Sequence, residues 1–237
     1  MDVQGIKELG KAYAPNATHR SVERINTPKC HPERHNSVID KIVHWAQEIS
    51  ETRIMWLLGP ENSGKSMIAQ ALAERWDDEG ILLATFFFSQ HDPSRNHALP
   101  LFATIAYQVA TNFLDSWNAI TRVLELNPSV LKQRPEFQLT SLIIGPLQQL
   151  YQATGQRTGS SDPYLIIIDG LDHCAHSVAQ IDILRSISKA LKKCKFPLKF
   201  VITSRPEPHI VAELNSETIK PILASLSLNE FRPGDDM

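Results

Sequence analysis

The residues with the most chemical potential are Gly59-Pro60-Glu61-Asn62-Ser63-Gly64-Lys65-Ser66, which fit the spacing G-x4-G-K-[ST]. They lie between an apolar run and a helical pattern. In that context the backbone N–H groups of the loop point into one concavity. The free N–H groups of the following helix, around Ser66 and Met67, point there too. A concavity of N–H groups at the positive end of a helix suits phosphate oxygens. Gly64 allows close approach and conformations that other residues resist. Lys65 supplies a point charge near the β- and γ-phosphates, and the Ser66 hydroxyl is placed to ligate Mg²⁺. The stretch Gly59–Met67 is therefore expected to bind a nucleoside triphosphate, ATP or GTP, because nothing in the loop selects the base.

Two further stretches carry polar residues at the ends of apolar runs. "YLIIIDGLDHC" ends on Asp169, with Asp172 three residues on. An acid at the carboxyl edge of a parallel sheet sits where ligands bind, and Asp169 is expected to hold Mg²⁺ directly or through water. Asp172 is placed to orient or activate a water, although helix capping explains either aspartate as well. "LKFVITSRPEPHI" ends on Thr203, Ser204 and Arg205. An arginine there neutralises transition-state charge or senses the γ-phosphate. The plainer alternative is a surface arginine before two prolines.

The elements that must position these groups are legible as periodicity. Helical spacing runs over Ser37–Ile49, Ser66–Trp76, Pro100–Phe113, Ser116–Leu126, Leu139–Tyr151, Val178–Leu191 and His209–Leu214. Apolar runs at Thr52–Leu58, "ILLATFFF", "YLIIIDG" and "LKFVITS" read as strands, with a fifth in "TIKPILASLSL". Strands that are apolar throughout and alternate with helices predict an α/β fold, a parallel sheet covered on both faces. Residues 1–30 read as a linker or an ordered lead-in with one short helix, and residues 31–237 as one domain.

Composition narrows the classes. The 237 residues are 42% hydrophobic and 21% charged, with a net charge of −2. No global basic field exists, so nucleic acid is not an expected partner. Three cysteines, Cys30, Cys174 and Cys194, are too few for a disulfide framework. No signal pattern or apolar run of membrane-spanning length is seen, so a cytoplasmic protein with no membrane partner is expected. Cys30, His31 and His35, with His173, Cys174 and His176, lack the paired spacing of a zinc site.

With these pieces in view, the chain resembles the fungal NACHT-type NTPase module, the nephrocystin-like group of STAND P-loop proteins. The likeness rests on "KCHPERHNSVIDKIVHWAQ", "GPENSGKSMIAQALAERW", "GILLATFFFSQHDPSRNHA", "YLIIIDGLDHC" and "ITSRPEPHI". The resemblance implies a five-stranded ASCE-type P-loop sheet ordered 5-1-4-3-2, ATP or GTP with Mg²⁺, slow turnover, and a switch that self-associates or engages other signalling proteins. It makes Gly59–Ser66 the Walker A loop, Asp169 the metal acid, Asp172 the second acid and Arg205 the sensor. Two departures stand out. His173 occupies the place of the group's glutamate in D-G-L-D-E-C, so slow or absent hydrolysis is expected. "CHPERH" replaces "CHPGTR" in the lead-in. Members of that group continue into a winged-helix region and a repeat domain, so the chain, which stops after the sensor strand, is expected to be a fragment, a gene-model truncation or a free-standing module. Two other classes are an interaction scaffold derived from a P-loop NTPase and a small-molecule kinase, for which no arginine-rich lid is seen.

Overall fold

The computed structural model describes residues 4–25, 32–154 and 163–228. Among them the apolar runs form five strands: β1 (Ile54–Leu58), β2 (Leu82–Phe87), β3 (Tyr164–Asp169), β4 (Leu198–Ser204) and β5 (Leu223–Ser227). They make one sheet in the order β2-β3-β4-β1-β5, with every pairing parallel. Read from the other edge, this is the order 5-1-4-3-2 expected above.

The strands are apolar throughout because both faces of the sheet are covered. Side chains alternate across a strand, so Ile54 and Trp56 join Ile166, Ile168, Phe200 and Ile202 in one core cluster. Met55 and Leu57 join Leu165, Ile167 and Val201 in the other. The second cluster is closed by α3 (Pro32–Gln47) and α4 (Lys65–Asp78), through Val38, Ile42, Ile68 and Leu72. The first is closed by α5 (Leu99–Asn112), α6 (Leu114–Leu126), α7 (Pro135–Leu139), α8 (Gly145–Thr154), α9 (Ser177–Lys193) and α10 (Pro208–Leu214).

Helix starts differ from the periodicity by a few residues, and the reason is proline. The third, seventh and tenth helices begin on Pro32, Pro135 and Pro208. Proline lacks an N–H that the first turn would leave unpaired anyway. The helix read from Leu139 thus begins at Pro135 and runs through a π-helical turn, Thr140–Ile144, into α8.

The described part of the lead-in is packed onto the domain. Its helix α1 (Gln4–Ala12) buries Ile6 and Leu9 in the larger cluster. A 3₁₀ turn (Pro15–Ala17) and α2 (Val22–Ile25) follow. The Ala14 N–H donates to Thr104 Oγ1 (3.0 Å), and the His19 N–H donates to Thr85 Oγ1 (2.9 Å) on edge strand β2. Cys30 and His31 of the "CHPERH" stretch, the Gly/Ser-rich stretch 155–162 and residues 229–237 lie outside the described residues. No described helix is long and apolar enough to cross a membrane.

Candidate functional site

Three strands end together. In β1, β4 and β3, Leu58 pairs with Ser204 and Ile168 with Ile202, so the chain after Leu58, Asp169 and Ser204 emerges at one edge of the sheet. A cleft of about 450 Å³ opens there. It is lined by the loop before α4, by the segment after β2, and by Asp172, His173, Thr203 and Arg205. A volume of that order accommodates a small-molecule ligand.

The loop from Gly59 to Gly64 is held by its glycines. Gly64 has φ +94°, and Asn62 also lies in the left-handed region at φ 60°. A Cβ on Gly64 would sit 2.6 Å from His35 Nε2, so the imidazole packs directly on the loop backbone. A Cβ on Gly59 would sit 2.7 Å from Ser63 Oγ and 3.1 Å from Leu228 Cβ. Gly64 is the N-cap of α4 and provides no side-chain cap, so the first N–H groups of that helix have no side-chain acceptor from this position. Lys65 is buried at 9% exposure, and its Nζ donates to the Gly59 carbonyl (2.8 Å), the Pro60 carbonyl (2.6 Å) and Ser63 Oγ (3.3 Å). Burial pulls the Lys65 ammonium below its usual range, and the negative charges of Asp172 and Asp169 oppose that pull.

Asp169 closes β3 and is only 3% exposed. Its Oδ1 accepts from Thr203 Oγ1 (2.7 Å), and the same hydroxyl accepts from the Gly170 N–H (2.9 Å). Thr203 thus fixes both the carboxylate and the turn after it. Gly170 turns at φ +68° into a 3₁₀ turn, Leu171–His173. Asp172, in that turn, accepts from the Arg205 N–H at Oδ1 (3.1 Å) and from Arg205 Nε at Oδ2 (2.7 Å). This bond to Asp172 raises the Arg205 pKa, with burial working against it. The His173 Nε2 stands 3.7 Å from Asp172 Oδ2, beyond hydrogen-bonding distance.

The structure gathers Glu61–Met67, Asp172 and Arg205 on the cleft wall. Gly59 and Pro60 act behind it, as carbonyl acceptors for Lys65. Asp169 is not on the wall; it is reached through Thr203 and Gly170, which are. Sequence reasoning did not assign Ser89, Gln90 and His91, which line the cleft after β2. The "HDPSR" composition there signals a polar loop and nothing about where it points. Nor did it find Arg24, whose Nη2 donates to the Ser66 carbonyl (3.4 Å) across 42 residues of sequence.

The donor set fits a magnesium nucleotide in chemical type. Ser66 offers a hydroxyl, Asp169 a carboxylate, and both are the hard oxygen ligands Mg²⁺ prefers. Among the described residues no cluster of three or more His, Cys, Asp or Glu can hold a metal unaided. A metal here would need phosphate oxygens and water to complete its shell.

Residues 39–205 match the family model described as Nephrocystin 3, N-terminal. No curated protein matches the chain. Among solved structures it is similar to Drosophila ORC bound to DNA, at 13% identity and a TM-score of 0.47, over 83% of this chain and 30% of that one. It is also similar to the Aeropyrum pernix ORC1 protein in complex with DNA, at 12% identity and a TM-score of 0.42, over 90% of this chain and 48% of that one. The chain therefore spans between about 30% and 48% of the length of these structures. The expectation that excluded nucleic acid is corrected by this finding, since both of these structures contain DNA. The physical reason lies in its basis. A net charge of −2 is a sum over the whole chain, and such a sum does not exclude a local basic surface.

Proposed function

We propose, from the premise that this chain belongs to the nephrocystin 3 N-terminal family, that it is a nucleotide-binding module whose cleft holds the phosphates of ATP or GTP. Loop amides between Gly59 and Gly64, the first turn of α4 and the Lys65 ammonium form the phosphate cradle. Ser66 and the nearly buried Asp169 are the residues that would hold Mg²⁺. A magnesium ion held there would supply positive charge against the phosphates. Asp172 acts on Arg205: it aims the guanidinium along the sheet edge toward the terminal phosphate.

One observation carries the reading. The Lys65 ammonium is buried and rests on the loop's own carbonyls at the head of the cleft. It has no carboxylate among its hydrogen-bond partners there, and an arriving anion offers it a stronger partner than neutral oxygens. Hydrolysis is slow or absent in this reading, because His173 stands where the resembling group has glutamate. The finer reading, also proposed, is a STAND/NACHT-type signalling switch formed by residues 31–237, in which the bound γ-phosphate favours a self-associating form. Titration of the purified chain with a fluorescent ATP or GTP analogue, with and without Mg²⁺, tests the nucleotide reading. Mg²⁺-dependent binding lost in Lys65→Ala supports it. No binding, with no rise in thermal stability at millimolar nucleotide, rejects it in favour of an interaction scaffold.

A further inference from the structure

The lead-in reaches the phosphate site through one side chain. Arg24, in the short helix α2, lies half-buried between α4 and edge strand β2. Its Nε donates to Gln70 Oε1 (2.7 Å), and its Nη2 to the Ser66 carbonyl (3.4 Å). Its guanidinium carbon stands 3.7 Å above the Phe87 ring. Phe87 pairs with Asp169 in the sheet register. The cation therefore touches Ser66 and lies over the ring of the residue that neighbours Asp169 in the sheet, on the side of the site where the metal is expected. Burial lowers the Arg24 pKa while the charge of Asp169 opposes that shift, which agrees with the placement.

The segment that leads to Arg24 is itself tied down at several points. Gln70 also donates to the His19 carbonyl (3.0 Å). Glu23 accepts from Arg95 Nη2 (2.5 Å), and Arg95, 8% exposed, donates through Nε to Asp92 (2.8 Å) and through Nη1 to the Asn16 carbonyl (2.5 Å). The Ser89 N–H closes the loop onto the Arg95 carbonyl (3.3 Å). Residues 16–24 thus bridge two walls of the cleft, the first turn of α4 and the segment after β2.

We propose that Arg24 is a positioning residue for the metal half of the phosphate site, holding a fixed positive charge at Ser66 and near Asp169 so that a nucleotide binds even without Mg²⁺ and so that its binding and the docking of residues 16–24 favour one another. The inference rests on the nucleotide reading above. Without metal, the phosphates face the negative charges of Asp169 and Asp172. A fixed guanidinium beside the Ser66 carbonyl offsets part of that repulsion. With metal, the same charge stands near a like charge and its benefit disappears. Removing it should weaken metal-free binding and spare metal-bound binding, whereas a residue that merely packed β2 against α4 would affect both forms alike. Coupling between two sites is reciprocal, so nucleotide bound without metal should in turn order residues 16–24.

The test is titration of the whole chain with a fluorescent ADP or GDP analogue, in Mg²⁺ and in EDTA, for wild type, Arg24→Gln and Arg24→Lys. Arg24→Gln should lose about tenfold in EDTA and less than about twofold in Mg²⁺, the size expected for one unit charge at several ångströms in a partly solvated site. Arg24→Lys, which keeps the charge, should retain most of the metal-free affinity. Hydrogen exchange of residues 16–24 should slow on binding in EDTA for wild type and not for Arg24→Gln. Equal losses in the two conditions, or no loss in either, overturn the role of Arg24 while leaving the nucleotide reading intact. A wild-type chain that binds in neither condition removes both.

Discussion

Asp172 and Arg205 form a two-point clasp: one carboxylate oxygen accepts from the Arg205 backbone N–H at 3.1 Å and the other from its Nε at 2.7 Å. The aspartate side chain is 2% exposed, while the arginine's is 36% exposed and faces the cleft. With both oxygens engaged, the geometry makes Asp172 the group that aims Arg205. Asp172→Asn should therefore destabilise the fold by about 1–3 kcal/mol, the usual scale for losing hydrogen bonds to a charged group. Urea denaturation measures it. A loss in Arg205→Ala that adds fully to that of Asp172→Asn in the double variant would show that the two residues are not coupled.

Lys65→Ala should separate binding from folding. The ammonium is held by neutral oxygens in a buried position, so its removal relieves desolvation as it deletes hydrogen bonds, and the change in unfolding free energy should stay within about 1 kcal/mol. Nucleotide affinity should fall by about a hundredfold, since a buried cation–phosphate contact is strengthened by its surroundings. Calorimetric titration and thermal melts on the same preparations check both halves.

Gly64→Ala combines a backbone penalty with a collision. At φ +94° a non-glycine residue costs about 1–3 kcal/mol, and its Cβ would meet the His35 ring. The double variant Gly64→Ala/His35→Ala should recover the steric part and none of the dihedral part. Comparing the three melting temperatures tests the division; full recovery in the double variant would mean that the backbone carries no strain there.

Stability should depend on pH through His19. Its ring is buried between Thr85 Oγ1 (3.2 Å) and Asp77 Oδ2 (3.3 Å). Burial lowers its pKa from the usual 6.5, with Asp77 opposing. A histidine whose folded pKa is depressed binds its proton first in the unfolded chain. Its contribution is therefore complete above pH 6.5 and declines as pH falls through the window between 6.5 and the folded value. Urea midpoints measured from about pH 8 to about pH 5 should fall in wild type and fall less in His19→Gln.

His173→Glu tests the hydrolysis reading. Glutamate there would place a general base on the cleft wall, where His173 now stands, and phosphate release should rise by about a hundredfold, the lower range for acid–base catalysis. An unchanged rate in a variant that still binds nucleotide would refute the account of that position.

The fold was legible because its signals are local. An apolar strand covered on both faces needs no alternation, so Met55 and Leu57 read like Ile54 and Trp56 although they face opposite clusters. The G-x4-G-K-[ST] loop was legible for the same reason: glycine tolerance, a lysine and a hydroxyl act within eight residues. The start of the helix at Pro135 was not, because proline scores as a breaker while the first turn accepts it.

What the chain's order alone determined is the set of elements and the groups carried at their ends: Asp169 closing β3, Arg205 after β4, Lys65 after β1. What only the tertiary structure decided is who meets whom. Thr203 bonding Asp169, Asp172 turned onto Arg205, and Arg24 reaching Ser66 each join residues more than 30 positions apart. No periodicity encodes such pairs. They follow from the parallel register that brings separate strand ends to one edge, and from the need of buried charged groups to find partners once there.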